Sequence, residues 1–142
     1  MRKDAIAFQR KSQTVSSVVT VNRGFPRDAR LTRRAEFDRV FAEATGSKDT
    51  YLTVLARPNG LGRPRLGMVV SNRNAGGVVA RNRIKRAVRE SFRHRQYELN
   101  GLDIVVLAKP DVASATRSQL FASLERHWRR IIERTRRRNA VQ

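Results

Sequence analysis

Apolar residues recur at helical spacing in the first third of the chain. Within residues 31–44 they stand at positions i, i+3, i+4 and i+7: Phe37, Val40, Phe41 and Ala44. This spacing places them on one face of an α-helix, because a helix turns once in 3.6 residues. Thr32 is a suitable N-cap for this helix, and Gly46 is expected to end it.

Runs of β-branched and aliphatic residues predict strands after this helix. Two of them, residues 51–57 and 66–71, flank a loop at residues 58–64 that is rich in Pro, Gly and Asn. We expect these two strands to pair as an antiparallel hairpin. Residues 103–108 form an almost continuous apolar run that is typical of a buried strand, and Pro110 closes it.

Residues 81–99 predict a helix with two chemically different faces. Its apolar arc comprises Ile84, Ala87, Val88, Ser91 and Phe92. Polar and basic residues fill the opposite side: Asn82, Arg83, Lys85, Arg86, Arg89 and Arg93. Asn100 and Gly101 are expected to stop this helix. Before it, residues 74–77 indicate a flexible connector, and Val78 with Val79 is a candidate for a short extended segment.

A last helix is predicted after Thr116, which has the spacing of a capping box with Gln119. Its core-facing residues repeat at helical spacing: Leu120, Leu124, Trp128 and Ile131. Arginines occupy its outer side: Arg126, Arg129, Arg130 and Arg134.

This order of elements predicts a single compact α+β domain with a small mixed sheet. We place the domain at residues 24–135. A polar, basic tail at residues 1–23 is expected to be disordered, and residues 136–142 are expected to form a short basic C-terminal tail.

The net charge narrows the choice of partner. The chain has 142 residues, with 31 Lys or Arg against 12 Asp or Glu and a formal net charge of +19. The whole excess lies in three blocks, residues 1–34, 81–95 and 126–138. Such segregation favours a nucleic-acid partner, because each phosphate neutralised by Lys or Arg releases condensed counterions. No apolar run is long enough to span a membrane, and no signal-peptide pattern is evident, so we expect a cytoplasmic protein and no membrane partner.

No pattern predicts a catalytic or metal-binding group in the protein itself. The chain has no cysteine, and its two histidines, His94 and His127, have no metal-ligating or nucleophilic residue at motif spacing. We expect both histidines on helix surfaces. The carboxylates are scattered, and Glu36 and Asp38 point in different directions on their helix. We therefore predict no catalytic residue and no metal site.

The start of the two-faced helix suits phosphate binding. The free N–H groups and the dipole of a helix N-terminus favour anions, so Arg81 and Asn82 are candidates to hold one phosphate there. Further phosphates would follow the basic side of the helix at Lys85, Arg86, Arg89 and Arg93. These properties alone fit RNA and DNA equally, including a helix that enters a DNA major groove.

The sequence RNRIKRAVRESFR at residues 81–93 closely resembles the Arg-Asn-Arg signature of the bacterial ribonuclease P protein component. Residues 31–41 resemble the first helix of that family, residues 64–67 its second strand, and residues 103–110 the strand after the signature helix. The resemblance covers about residues 24–135. Asn72 and Arg73 stand where many relatives have two lysines, which leaves Arg73 as the cation at that place.

The resemblance implies an αβββαβα domain that partners a large catalytic RNA. In this family the RNA removes the 5′ leader from precursor tRNA by phosphodiester hydrolysis. The Mg²⁺ that this reaction uses is expected to be bound mainly by the RNA partner and the substrate, with no cofactor held by the protein alone. No protein partner is predicted.

Carried over to this sequence, the resemblance assigns docking on the RNA subunit to the signature helix: Arg81, Asn82, Arg83, Lys85 and Arg86. The helical spacing extends that surface to Arg89 and Arg93. Phe37 and Phe41 match family aromatics beside a cleft for the single-stranded leader, and we expect one of these two rings to stack on a leader base. The expected phosphate contacts beside the cleft are Arg33, Arg34 and Arg73.

Two other classes of function are compatible with a basic surface. A structural RNA-binding protein, such as a ribosomal protein, would show the same basic blocks and the same lack of catalytic residues. The signature helix with both flanking motifs in the right order favours the ribonuclease P protein component. A DNA-binding regulator would need base-reading Asn or Gln on an exposed helix, whereas this face is nearly all Arg and Lys.

Overall fold

The computed structural model describes residues 29–43 and 45–141, so the tail predicted at residues 1–23 lies outside the described part. The helices are α1 (Arg34–Glu43), the short α2 (Asn72–Ala75), α3 (Val78–His94) and α4 (Arg117–Val141). The strands are β1 (Thr45–Lys48), β2 (Leu52–Pro58), β3 (Arg65–Val69) and β4 (Leu102–Ala108), and a 3-10 turn at Pro110–Ser114 follows β4. The predicted αβββαβα order is confirmed, with α2 as an additional turn of helix.

The four strands form one mixed sheet in the order β1-β2-β4-β3. Strand β2 is antiparallel to both β1 and β4, and β3 is parallel to β4. The predicted hairpin between residues 51–57 and 66–71 is therefore wrong, because β4 lies between the two strands. In the loop after β2, the amide Nδ2 of Asn59 donates to the carbonyl oxygen of Arg63 at 3.1 Å and to Oδ1 of Asp103 at 2.9 Å. The loop is thus fastened to β4 and not closed as a hairpin turn.

Strand β4 takes a central position because both of its faces are apolar. Six of its seven residues are buried, whereas β2 alternates between buried and partly exposed residues. A strand that is buried on both faces lowers the free energy most when other strands flank it. Strands β3 and β4 are joined through α3, since neighbouring parallel strands need a crossover connection.

Helix α1 begins and ends differently from the prediction. The first helical hydrogen bond of α1 is accepted by the carbonyl oxygen of Arg33, so Arg33 and not Thr32 occupies the N-cap position. The cap itself comes from Glu36, whose Oε1 accepts hydrogen bonds from the N–H groups of Thr32 and Arg33, each at 3.1 Å. Gly46 does not end the helix but lies within β1. The sequence of β1 is TGSK, which has no apolar residue that could have predicted a strand.

The segment predicted as a flexible connector contains α2. Ser71 caps this short helix, since its Oγ accepts a hydrogen bond from the N–H of Asn74 at 3.0 Å. Gly76 and Gly77 then adopt φ values of 94° and 129°, which residues with a Cβ rarely reach. These two glycines allow the chain to turn between α2 and α3.

Helix α3 starts earlier and ends earlier than predicted. Val78 and Val79 are its first residues and form no extended segment, and the helix ends at His94 instead of continuing to residue 99. Helix α4 confirms the capping box: the N–H of Gln119 donates to Oγ1 of Thr116 at 3.1 Å, and the N–H of Thr116 donates to Oε1 of Gln119 at 2.9 Å.

Helix α4 continues through Val141, so residues 136–141, which were expected in a tail, belong to the helix. No Gly or Pro interrupts residues 117–141, and arginine has a high helix propensity, so nothing local stops the helix at residue 135. None of the helices in the described ranges is long and apolar enough to cross a membrane.

The sheet separates two hydrophobic clusters. The larger cluster packs α3 and α4 against one face of the sheet, through residues such as Val54, Met68 and Ile104 from the strands and Phe92 and Trp128 from the helices. The smaller cluster packs α1 against the other face and comprises Leu31, Phe37, Val40, Val69 and Val105. Neighbouring residues of a strand point to opposite faces, which is why Val105 and Ile104 belong to different clusters.

Candidate RNA interface

The signature helix α3 is held in place at both ends. Near its start, Nε of Arg81 donates a hydrogen bond to the carbonyl oxygen of Val70, just after β3, at 2.8 Å. Near its end, Nε1 of Trp128 on α4 donates to Oγ of Ser91 at 2.7 Å. The rings of Trp128 and Phe92 also meet edge to face, with their centroids 6.2 Å apart. These contacts fix which side of α3 faces solvent.

The predicted RNA-binding residues of α3 divide into two groups. Asn82, Arg83 and Arg86 are exposed, and Arg81 and Arg93 are half-buried. Lys85 and Arg89 are each only 3% exposed, which corrects the prediction that they project into solvent. We call the first five residues the α3 ridge.

Helical geometry explains this correction. Consecutive residues are rotated by about 100° around the helix axis, so Lys85 lies only about 20° from the buried Phe92, and Arg89 about 60° from it. Both therefore flank the apolar arc and do not oppose it. The buried side of α3 therefore includes two basic residues in addition to the apolar ones. How much of the helix surface is covered depends on the packing of other elements against it.

Burial and repulsion between like charges lower the pKa values of Lys85 and Arg89, the two buried cations of α3. Burial lowers the pKa of Lys85 to about 8, and the positive charges of Arg81 and Arg89 add to the effect. Burial, followed by the charges of Arg86 and Arg93, lowers the pKa of Arg89 as well. The buried Nε of Arg89 has no hydrogen-bond partner within the described residues. A bound anion would relieve this concentration of positive charge.

The two aromatic rings of α1 have different environments. Phe37 is 1% exposed and packs in the smaller core cluster, so its assignment to the leader cleft is corrected to a core role. Its ring lies directly over Gly67 of β3, where any Cβ would come within 2.5 Å of it. Phe41 is 38% exposed and is therefore the ring of this pair that reaches solvent.

The basic residues at the start of α1 are also at the surface. Arg33 and Arg34 are both exposed, and Arg34 lies 3.6 Å from Asp38, one helical turn further on. An ion pair so exposed adds little stability, so the guanidinium can exchange Asp38 for a phosphate at small cost. Arg73 is exposed as well, but it belongs to α2, which immediately precedes the signature helix.

An ion-pair network orients α1 on the sheet, and the sequence did not predict it. Nε and Nη2 of Arg65 donate to both carboxylate oxygens of Asp103 at 2.8 and 2.7 Å, while Nη1 donates to Oε2 of Glu36 at 2.7 Å. Glu36 therefore caps α1 and binds β3 at the same time. The two partners of Arg65 are 29 and 38 residues away, so no local spacing could have revealed the network.

His127 is a second correction, because it is completely buried and not on a helix surface. Its Nδ1 lies 2.7 Å from Oγ of Ser47 on β1, and its Nε2 lies 3.3 Å from Oδ2 of Asp49. Burial lowers the pKa of His127 below its ordinary value, more than the neighbouring Asp49 raises it. Ser47 is 3% exposed, so this Ser-His-Asp arrangement has no access for a substrate and joins α4 to the edge of the sheet.

The other histidine, His94, is exposed as predicted, and its Nδ1 lies 2.8 Å from the carbonyl oxygen of Glu90. Within the described ranges, no group of three or more His, Asp or Glu side chains is arranged to hold a metal ion.

Comparison with known proteins identifies the family. The Ribonuclease P family profile matches residues 25–132. The chain belongs to the ribonuclease P protein family. The ribonuclease P protein component of Methylococcus capsulatus is 50% identical over 105 residues, which cover 74% of this chain and 82% of the relative. That of Salmonella arizonae is 44% identical over 110 residues, which cover 78% of this chain and 92% of the relative.

Solved structures of ribonuclease P proteins share the fold. The protein from Staphylococcus aureus matches with a TM-score of 0.66 and 30% identity, over 71% of this chain and 93% of that one. The protein from Thermotoga maritima matches with a TM-score of 0.57 and 35% identity, over 68% of this chain and 96% of that one. The chain is thus a protein subunit of ribonuclease P, a ribonucleoprotein endoribonuclease of tRNA processing, and its partner is the RNA subunit.

Proposed function

We propose that this ribonuclease P protein binds the catalytic RNA through the α3 ridge and the 5′ leader of precursor tRNA through α1. In this way it promotes endonucleolytic removal of the leader, which gives the mature 5′ end of the tRNA. The observation that carries the proposal is the concentration of positive charge on α3, where Arg83 and Arg86 are exposed on the same helix that holds the buried cations Lys85 and Arg89. Guanidinium groups bind phosphate through a planar fork of donors.

The leader would lie on the other face of the sheet, along α1. The exposed ring of Phe41 can stack on an unpaired base, and stacking is tolerant of sequence because every base has a π-face. Arg33 and Arg34, about two turns earlier, can bind leader phosphates. This arrangement would place the leader and the catalytic RNA on different sides of the sheet, so both can be bound at once.

We assign the catalytic centre to the RNA subunit. The described residues do not fit a metal site, so we assign the Mg²⁺ of the reaction to the RNA and the substrate and give the protein no step in the chemistry. The protein would act by screening the repulsion between two polyanions and by adding contacts to the leader. We place this activity in the cytoplasm.

Reconstitution tests this function. The full-length protein, added to the catalytic RNA of its own organism and precursor tRNA at low Mg²⁺, should convert weak cleavage into efficient cleavage. The variant Arg83→Gln/Arg86→Gln should lose most of this enhancement at limiting protein. The variant Arg39→Gln/Arg63→Gln removes two charges that are also exposed and lie away from the ridge and from Phe41, so it should behave as the wild type. No enhancement by the wild type, despite tight RNA binding, would refute the proposal in favour of a structural RNA-binding role.

Leader binding has its own readout. Phe41→Ala should lose about 1–3 kcal/mol of affinity for precursor tRNA in the complex with the catalytic RNA, and none for mature tRNA, which has no leader. Equal losses for the two tRNAs would contradict a leader contact at Phe41.

A further inference from the structure

Helix α4 carries a second basic surface that the proposed function does not use. Five arginines and one acidic residue line a single open groove along this helix: Arg126, Arg129, Arg130, Glu133, Arg134 and Arg137. We call it the α4 groove. Arg126 is partly exposed, and the four other arginines are exposed. Arg126 is paired with Asp49 at 3.0 Å and Arg137 with Glu133 at 3.8 Å, so five positive charges face two carboxylates and the local charge is positive.

Part of the α4 groove is held rigidly against the edge of the sheet. Nη1 of Arg130 donates to Oγ of Ser47 at 3.1 Å and to the carbonyl oxygen of Lys48 at 3.3 Å. Nη1 of Arg134 donates to the carbonyl oxygen of Gly46. These contacts use few of the five N–H donors of each guanidinium and leave the others available. Ordering these long side chains before binding reduces the entropy that a ligand would have to overcome.

The α4 groove is well separated from the α3 ridge. Arg130 and Arg134 of the groove contact β1, which is one edge of the sheet, whereas Arg81 of the ridge is bonded to Val70, just after the opposite edge strand β3. Three strand spacings of about 4.8 Å lie between these edges, or about 14 Å before side chains are added. A single short run of phosphates on the ridge would not reach the groove.

The chemistry of the groove fits a nucleic-acid backbone. Its lining contains no aromatic ring on which a base could stack and no Asn or Gln that could read a base edge. From Arg126 to Arg137 the helix rises about 16 Å, which is long enough to follow several consecutive phosphates of one strand in a duplex. The groove is therefore suited to the backbone of a helical segment and not to an unpaired strand.

The position of the groove favours the catalytic RNA over the leader of precursor tRNA as its ligand. Helices α3 and α4 pack side by side on the same face of the sheet, whereas α1 lies on the other face. We propose that the α4 groove docks on the phosphate backbone of a helical segment of the catalytic RNA, distinct from the segment on the α3 ridge. This inference rests on the proposed function, because it takes the RNA on the ridge to be the catalytic RNA.

Salt-dependent binding of the full-length protein to the catalytic RNA tests the proposal. Three double variants each remove two charges: Arg129→Gln/Arg137→Gln in the groove, Arg83→Gln/Arg86→Gln on the ridge, and Arg39→Gln/Arg63→Gln as the matched control. Each lost duplex phosphate contact should reduce the slope of log K against log salt by about 0.9. Two lost contacts then weaken binding about thirtyfold at about 0.15 M salt, and the groove and ridge effects should multiply because the sites are far apart.

A tethered cleavage reagent locates the contact independently of affinity. The chain has no cysteine, so Glu133→Cys in the groove and Val79→Cys beside the ridge each accept a single label. Glu133 and Val79 are both exposed, and circular dichroism should confirm that each variant keeps its helices. The two probes should cut the catalytic RNA at different helical segments.

The outcomes separate the two proposals. If the groove variant binds like the control, or the Glu133 probe cuts no RNA or only the tRNA, the second surface is refuted while the proposed function stands. Should the ridge variant and the Val79 probe also have no effect on the catalytic RNA, the proposed function fails as well. Protection of the groove by an acidic protein in place of RNA would likewise overturn this inference.

Discussion

Gly67 of β3 determines how closely α1 can approach the sheet. A Cβ added at this position would lie 2.5 Å from both Cε1 and Cζ of Phe37 and 3.3 Å from Cβ of Leu31. Carbon atoms in contact are normally about 3.5–4.0 Å apart, so the ring would have to move by about 1 Å or more. Phe37 is 1% exposed and enclosed by the core of α1, so it has no space to move into.

Gly67→Ala should therefore destabilise the protein, although the backbone at Gly67 does not have a positive φ. Without the clash, replacing Gly by Ala would stabilise the fold by about 0.4–1 kcal/mol, because it restricts the unfolded chain. Overpacking of a well-packed core costs about 1–3 kcal/mol. For a domain of this size, each kcal/mol lowers Tm by about 3–4 °C.

Gly62 provides a matched control, because a Cβ at that position would have no atom within 4 Å. We expect Gly62→Ala to be neutral or slightly stabilising in urea denaturation followed by circular dichroism. The variant Phe37→Leu shortens the side chain over Gly67, so adding Gly67→Ala to it should cost less than half of its cost in the wild type. If Gly67→Ala is as stable as the wild type, or if Phe37→Leu does not reduce its cost, the close packing of α1 on β3 is not the reason for this glycine.

Three further predictions concern charged groups. Arg65→Met should cost about 3–5 kcal/mol in the free energy of unfolding, because it leaves the carboxylate of Asp103 buried without its partner. The pKa of His127 is lowered in the folded protein, so stability should fall as the pH decreases below about 6.5, and His127→Gln should remove this dependence between pH 7.5 and 5.5. The pKa of Lys85 is about 8, so affinity for the catalytic RNA should decrease as the pH rises through 8, by at most about tenfold per pH unit, and Lys85→Arg should abolish the decrease.

Each of these predictions has an outcome that contradicts it. A loss of less than 1 kcal/mol in Arg65→Met, close to that of the exposed control Arg63→Met, would show that the ion-pair network does not hold α1. If the pH dependence of stability disappears in His94→Gln and persists in His127→Gln, His127 is not the group responsible for it. For Lys85, an unchanged pH dependence of RNA affinity in the arginine variant would mean that another group titrates.

Local signals in the sequence were sufficient for several elements of this protein. The capping box of Thr116 and Gln119 acts over three residues, and it predicted the start of α4 correctly. The apolar run of β4 and the exposed positions of Arg83 and Arg86 also follow from the chain alone, because they depend on periodicity within one element. The similarity of residues 81–93 to the Arg-Asn-Arg signature was specific enough to identify the family before any fold was known.

Tertiary structure decided which side of each element is covered. Lys85 and Arg89 are buried because α3 is covered over a wider arc than its apolar residues occupy, and Phe37 is buried because Gly67 lets its ring lie on the sheet. His127 owes its environment to Ser47, which is 80 residues away in the chain. Strand β1 has no apolar residue, and its pairing with β2 defines it. The periodicity of a sequence shows which residues share a face, but the partners of that face come from distant parts of the chain, and the free energy of burial depends on those partners.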